Sequence, residues 1–264
     1  MNEYKINNKL HKYQLMKKDP ELARLLPDTR QFTKDNFFYF IEKYKQIIIK
    51  PTLGSHGKGI IIVSNVGCKE YELLILNKKK YIRGENNLYC FINKSRSKNM
   101  IYLIQNFISL AKIQGRSLDL RYISQKHKCN WLITGKYAKV AKEGYGVTNF
   151  EHGSTILTVG DALQKAELPN LNIEKLLGTL ELLTISLSKC LSNYFRKHLI
   201  WGSDIGIDVN GDVWIIEVNS APQTNGFCEL DSLKPMYKTI ESLKKGRSNT
   251  CHLTKKITPN KSNE

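Results

Sequence analysis

An α+β fold is expected for this chain of 264 residues, on three observations. Apolar residues recur at helical spacing over residues 33–45 and, over a longer stretch, over 172–198. Strand-like apolar runs stand apart from these at 47–49, 59–63, 102–108, 118–124 and 131–141. Residues 204–219 read as two apolar runs about Asn210-Gly211, the strongest short-range signal for a two-residue hairpin turn.

In chain order, residues 1–30 are polar and basic and form an N-terminal segment ending in Leu25-Leu26-Pro27-Asp28-Thr29. Thr33 reads as an N-cap, with Phe37, Phe40, Ile41 and Tyr44 on one face of the helix behind it. Ile47-Ile48-Ile49 makes a buried strand that Lys50-Pro51 stops. A glycine-rich loop leads into the strand Gly59-Ile60-Ile61-Ile62-Val63. Residues 68–100 alternate weakly and are expected to hold two or three short strands with basic turns. The long helix places Ile173, Leu176, Leu177, Leu180, Leu183, Leu187 and Leu191 on one face. Residues 229–245 form a last helix, started or interrupted at Pro235, and 246–264 a disordered basic tail.

Composition narrows the function classes. No apolar run is long enough to span a membrane, and the N-terminus has no signal-peptide core, so a cytoplasmic protein is expected. The six cysteines are scattered without CxxC spacing, which speaks against zinc and redox motifs. The 41 Lys+Arg against 24 Asp+Glu leave a net charge of +17, which favours anionic partners: nucleotides, acidic peptides or nucleic acid. The aromatics show no RNA-binding pattern, so charge alone argues for nucleic acid.

The hairpin carries the sharpest chemistry. If Val209 and Asp212 flank the turn, 208 faces 213, 206 faces 215 and 204 faces 217. Asp204, Glu217 and Asn219 then share one face. Opposed residues have Cβ atoms about 4.5–5.5 Å apart. Two carboxylates and an amide oxygen so placed suit a hard divalent cation; the same pattern also suits a solvated polar face.

Three other stretches are candidates. Lys50-Pro51-Thr52-Leu53-Gly54-Ser55-His56-Gly57-Lys58-Gly59 places three glycines where successive N–H groups can cradle an anion, with Lys50 as a point charge. It is not a Walker A loop, because a strand follows Lys58-Gly59. Tyr102 to Ile108 reads either as a core strand or as a segment whose free end contacts an adenine edge. In Asp119-Leu120-Arg121, alternation lets the two charged side chains pair; alternatively Arg121 serves a phosphoryl group. Lys139 to Gly153, with Thr148-Asn149-Phe150-Glu151-His152-Gly153, is a turn or a substrate-facing loop.

In order and spacing these elements resemble the ATP-grasp superfamily, as a set: Lys50-Pro51 with its glycine loop, Asp119-Leu120-Arg121, and Asp204 with Glu217-Val218-Asn219-Ser220-Ala221-Pro222. The last segment is similar to that of D-alanine–D-alanine ligases. Within the superfamily the chain looks most like the YheC/YheD group, the endospore-coat-associated proteins, on Leu26-Pro27-Asp28-Thr29, residues 148–153 and residues 214–219. The resemblance implies two α+β subdomains gripping ATP, at 31–104 with the flap and at 105–245 with the metal site. Carried over by position, Lys9 and Lys50 are the nucleotide lysines. Gly54, Ser55, Gly57, Lys58 and Gly59 belong to the phosphate flap, and Gln105, Asn106, Phe107 and Ile108 are the adenine connector. Asp204, Glu217 and Asn219 hold Mg2+, and Arg121 and Lys50 act in catalysis.

The implied reaction is ATP- and magnesium-dependent joining of a carboxylate to an amine through an acylphosphate, with an acidic peptide as one candidate substrate. Positioning and charge neutralisation would carry it, without a side-chain nucleophile. The departures are the near-absence of residues before Lys9, where the superfamily has an α/β domain that is expected to be missing here or supplied by a protein partner, Gly202-Ser203 before Asp204, Lys139 in place of arginine, and Gln223 after Pro222. A non-catalytic, spore-coat-associated protein retaining the fold is the alternative.

Overall fold

The computed structural model describes residues 3–54, 57–146, 148, 153–168 and 172–253. Two antiparallel sheets organise them. The first has the order β1-β6-β2-β3-β4-β5, from Thr29–Gln31 (β1), Gln46–Pro51 (β2), Ile61–Gly67 (β3), Glu70–Ile75 (β4), Lys78–Arg83 (β5) and Tyr102–Asn106 (β6). Helices α4 (Lys34–Lys43) and α5 (Glu85–Ser95) cover one face of it, burying Phe37, Phe40, Leu88 and Ile92 against Ile47, Ile49, Leu73 and Ile104. Thr33 caps α4 as expected, its hydroxyl accepting from the Asn36 N–H at 3.2 Å.

The second sheet has the order β10-β9-β8-β11-β12, with β7 (Lys112–Ile113) paired to β8. Its strands are β8 (Arg116–His127), β9 (Asn130–Val140), β10 (Thr155–Leu157), β11 (Ile200–Ile207) and β12 (Val213–Asn219). Helix α6 (Val159–Lys165) lies beside β9 and α7. The long helix α7 (Ile173–Tyr194) packs Leu180, Leu183, Leu187 and Leu191 into the core with Leu120, Tyr122 and Ile205. Alternation sends Asp119, Arg121 and Ile123 to the opposite face, where Phe227 and Ile240 of the final segment cover Ile123 and Tyr137. That final segment runs through two 3-10 turns, Asn225–Cys228 and Asp231–Leu233, into α8 (Lys234–Leu253).

Three elements differ from the sequence reading. Residues 85–95 form a helix where short strands were expected. Gly84, at φ 86°, breaks the strand, and Leu88 and Ile92 then supply the i, i+4 apolar pair. The N-terminal segment is helical, with α1 (Glu3–Asn7), α2 (Lys9–Met16) and α3 (Pro20–Ala23), and its Ile6, Tyr13, Leu15, Met16, Leu22 and Leu26 enter the core of the second sheet. The last helix continues past Lys245 to Leu253. Pro235 sits in its first turn, where proline is tolerated, and a single glycine at 246 does not end it.

Candidate functional site

The site begins at the β11–β12 hairpin. Asp204 pairs with Glu217 and Gly202 with Asn219, as the alternation requires, but the turn differs from the expected one. Asp208 opens it: its Oδ1 accepts from the N–H of Asn210 (2.9 Å) and Asp212 (3.0 Å), and its Oδ2 from the Trp214 indole (3.0 Å). The Gly211 N–H closes back on the Asp208 carbonyl at 3.0 Å, with Gly211 at φ 91°. Near the turn Ile207 therefore faces Val213, and Gly206 faces Trp214. A bulge between Asp204 and Ile205 then takes up Ile216 and restores the Asp204–Glu217 pairing.

Across the sheet Asp204 stands opposite Arg121, and Asp119 opposite Lys139. These cross-strand neighbours decide the ion pairs. Arg121 donates from Nε and Nη2 to the two Asp204 oxygens at 2.7 and 2.9 Å. Lys139 Nζ lies 3.0 Å from both Asp204 Oδ1 and Asp119 Oδ1. Asn219 Nδ2 donates to Asp204 Oδ2 at 3.1 Å, and the Thr148 hydroxyl donates to Asp119. Asp119 and Arg121 thus share a face without pairing to each other, and Arg121 is engaged by Asp204.

Electrostatics follow from this. Burial alone would raise the Asp204 pKa, but Arg121 and then Lys139 hold it well below the usual carboxylate range. Burial pushes Asp119 up to about 6, with Lys139 opposing and the Asp204 charge adding. Burial pulls Lys139 down, and the Asp119 and Asp204 carboxylates outweigh it. Lys50 is pushed down by burial, against the pull of Glu217.

Facing this cluster across a cleft is the end of the first sheet. Ile48, Ile60, Phe107, Ile108, Leu110 and Ile216 are its apolar lining. Lys50, Lys139, Asp119, Asp204 and Glu217 are its charged lining. Of the expected connector, Asn106, Phe107 and Ile108 line the cleft beside Gln105, whose amide donates to Thr29. The Asn106 and Phe107 N–H groups are taken by the Asp28 and Gln46 carbonyls. Lys9 donates to the Gly54 carbonyl and sits 3.4 Å from Glu217 Oε1, tying the flap to β12. Gly54, Gly57, Lys58 and Gly59 line neither this cleft nor the smaller cavity behind it. Ser55 and residues 149–152 lie outside the described residues.

Sequence reasoning missed Lys12, 3% exposed in the small cavity, because a lysine on a helix reads as a solvated residue. The contacts of Thr148 and Lys139 with Asp119 were not anticipated, since they depend on strand order and loop placement.

For a hard cation the donor chemistry fits: two opposed carboxylates and an amide oxygen beside a buried, charged cleft. No cluster of three or more acidic, His or Cys side chains occurs among the described residues, so Asn219 would be the third donor. Arg121 and Lys139 now supply the positive charge at Asp204.

The family model described as YheC/D-like ATP-grasp matches residues 1–244. The chain belongs to this ATP-grasp family. It is 26% identical over 257 residues to the endospore coat-associated protein YheD of Bacillus subtilis (strain 168), covering 91% of this chain and 52% of that protein. To YheC of the same organism it is 24% identical over 203 residues, 75% of this chain and 54% of that protein. The chain thus spans about half the length of the curated relatives it matches. Among solved structures it is similar to the VanG D-Ala:D-Ser ligase from Enterococcus faecalis, with a TM-score of 0.52 and 14% identity over 89% of this chain and 57% of that one. It is also similar to an N5-carboxyaminoimidazole ribonucleotide synthetase in complex with ADP, with a TM-score of 0.50 and 12% identity over 83% of this chain and 46% of that one. At these identities the structural likeness establishes the ATP-grasp fold. No helix among the described residues is long and apolar enough to cross a membrane.

Proposed function

We propose that this ATP-grasp chain is an ATP-dependent ligase that joins a carboxylate to an amine. The observation that carries the reading is a cleft lined both by apolar side chains, Phe107 and Ile108 among them, and by Lys50, Lys139 and Glu217, in a chain of the ATP-grasp family. In this reading the adenine lies against Ile48, Phe107, Ile108 and Ile216, and the phosphates point to Lys50 and Lys9. A carboxylate oxygen attacks the γ-phosphorus as ADP leaves. The amine then attacks the acyl carbon, phosphate leaves and the nitrogen loses a proton. Lys50, Lys9 and Lys139 neutralise the charge that builds on the transferring group. Asp204, Glu217 and Asn219 would hold magnesium, which supplies further neutralisation of the phosphate charge.

The test is ADP release by the whole chain with magnesium and ATP over a panel of carboxylates and amines, including acidic peptides. Release should require both substrates and be lost in Glu217→Ala. Turnover unaffected by Glu217→Ala would overturn the assignment. A second reading, a non-catalytic coat-associated protein, is favoured by the names of the two Bacillus subtilis relatives. Calorimetry separates the two, because a well-folded protein that does not bind ATP with magnesium would put the coat reading first.

A further inference from the structure

At Ser117 the main cleft meets a second, open groove of about 620 Å³ that the ligase reading leaves unused. One wall is the β7–β8 hairpin. Gln114 and Gly115 turn the chain there at φ 51° and 74°, the conformation of a two-residue hairpin turn. Lys112 then pairs with Ser117, and Ile113 with Arg116. The Glu167 carboxylate accepts from the Gly115 N–H at 3.1 Å, and the Glu167 N–H donates to the Lys112 carbonyl at 2.7 Å, which holds the hairpin in place. The other wall is the turn at residues 142–145, closed by the Tyr145 N–H on the Lys142 carbonyl at 3.1 Å. Just before it, the Ala141 N–H donates to the Ser117 carbonyl at 2.8 Å and ties the turn to β8.

Three cations stand on these walls, Lys112 and Arg116 on the hairpin and Lys142 on the turn, with one carboxylate, Glu143, among them. Among the described residues none of the three cations has an ion pair. A single surface lysine is a solvated residue. Three cations converging on one concave surface raise its positive potential and concentrate anions there. Gly115 and Gly144 lie on the same lining with open space where a side chain would stand, so an extended backbone can rest against them. Tyr145 is the one aromatic on the lining, too few for the stacking that single-stranded nucleic acid uses. Groove and cleft are continuous, because Ser117 lines both. It lies on the same face of β8 as Asp119, two residues and about 7 Å along the strand.

We infer that this groove holds the carboxylate substrate, and that the substrate is an acidic peptide. The inference rests on the ligase reading of the main cleft. The reacting carboxylate lies at the Lys139 end, and the peptide runs out past Ser117 between the two walls. Carboxylates on alternate residues of an extended chain recur about every 7 Å, and these meet Arg116, Lys112 and Lys142. The three cations are therefore specificity-determining residues. They favour a chain carrying several carboxylates over a single carboxylic acid of equal reactivity.

The experiment is fluorescence anisotropy on the full chain with labelled hexaglutamate, hexaglutamine and oligouridylate, beside calorimetry with ATP and magnesium. One triple variant carries Lys112→Gln, Arg116→Gln and Lys142→Gln. A control carries Lys34→Gln, Lys175→Gln and Lys189→Gln, three exposed lysines elsewhere. The groove variant should weaken hexaglutamate by about tenfold, roughly twofold for each exposed ion pair lost. The control should stay within about twofold of the wild type, because charges farther away are screened at ordinary salt. Hexaglutamine should not bind. With ATP, magnesium and hydroxylamine as the amine, hexaglutamate should draw ADP release. An equal loss in the control, an unchanged groove variant or early unfolding of that variant would each overturn the inference. So would hexaglutamine binding as tightly, or oligouridylate binding more tightly through the same three residues. A wild type that binds ATP but not hexaglutamate, or that binds both without releasing ADP, would overturn the substrate and leave the nucleotide site standing. Hexaglutamate held by the groove in a protein that does not bind ATP would overturn the ligase reading and the substrate role together.

Discussion

Replacing Asp204 with asparagine should destabilise the protein, and the sign of the effect distinguishes two views of this carboxylate. Its oxygens accept from Arg121 at 2.7 and 2.9 Å and from Lys139 at 3.0 Å. With Asp119, the buried cluster balances two carboxylates against two cations. Asp204→Asn leaves two cations facing one carboxylate, out of reach of water. Removing one partner of a buried pair costs roughly 3–5 kcal/mol. Asparagine keeps one acceptor, which places the cost near the lower end. In a chain of this size each kcal/mol moves Tm by about 2–4 °C, so a drop of about 6–12 °C is expected. In the opposing view Asp204 and Glu217 are simply like charges opposed across the hairpin. Removing one would then relieve repulsion and raise Tm. Differential scanning calorimetry in the presence of a chelator measures the shift. A cycle with Arg121→Gln and the double variant isolates the coupling, expected at about 2 kcal/mol or more. A Tm for Asp204→Asn at or above the wild-type value would refute the ion-pair account.

Two further substitutions probe the same neighbourhood. Asp208→Ala orphans the N–H groups of Asn210 and Asp212 and the Trp214 indole, and should cost about 2–3 kcal/mol; an unchanged urea midpoint would show that the turn does not depend on this carboxylate. Asp119 gives a pH dependence of defined sign. Its pKa rises from 3.8 in the unfolded chain to about 6 in the fold, chiefly by burial. The folded state therefore binds more protons across that window, and the wild type loses stability as pH rises through it. Asp119→Asn lacks this proton, so its stability relative to the wild type should be greater at pH ~7 than at pH ~4; a difference that stays flat, in denaturant titrations at the two pH values, would argue against a raised Asp119 pKa.

The hairpin shows what a sequence conveys and why. The turn rule expected Asn210-Gly211 alone at the tip, yet the Asp208 side chain captures the next N–H groups and lengthens the loop by one position on that strand. The register then slips, and Asp204 would face Ile216. The bulge at Ile216 cancels the slip, because strict alternation from the core residue Ile215 would turn Glu217 toward the core and Val218 out of it. Face identity is specified by chemistry along the whole strand and was legible. Local register depends on which side chain wins a few N–H groups and was not. The same contrast governs the charges. That Asp119, Arg121, Asp204 and Glu217 share a polar face follows from alternation within each strand. Which cation meets which carboxylate depends on β9, β8, β11 and β12 lying in that order, and Arg121 and Asp204 are 83 residues apart. Lys12 is the extreme case. Within α2 it is an ordinary basic residue, and only the packing of α2 beside β1 and β12 turns it into a buried residue lining the small cavity. Function in this chain is set by partner choice among charges, so its most informative residues are those whose partners lie farthest away in sequence.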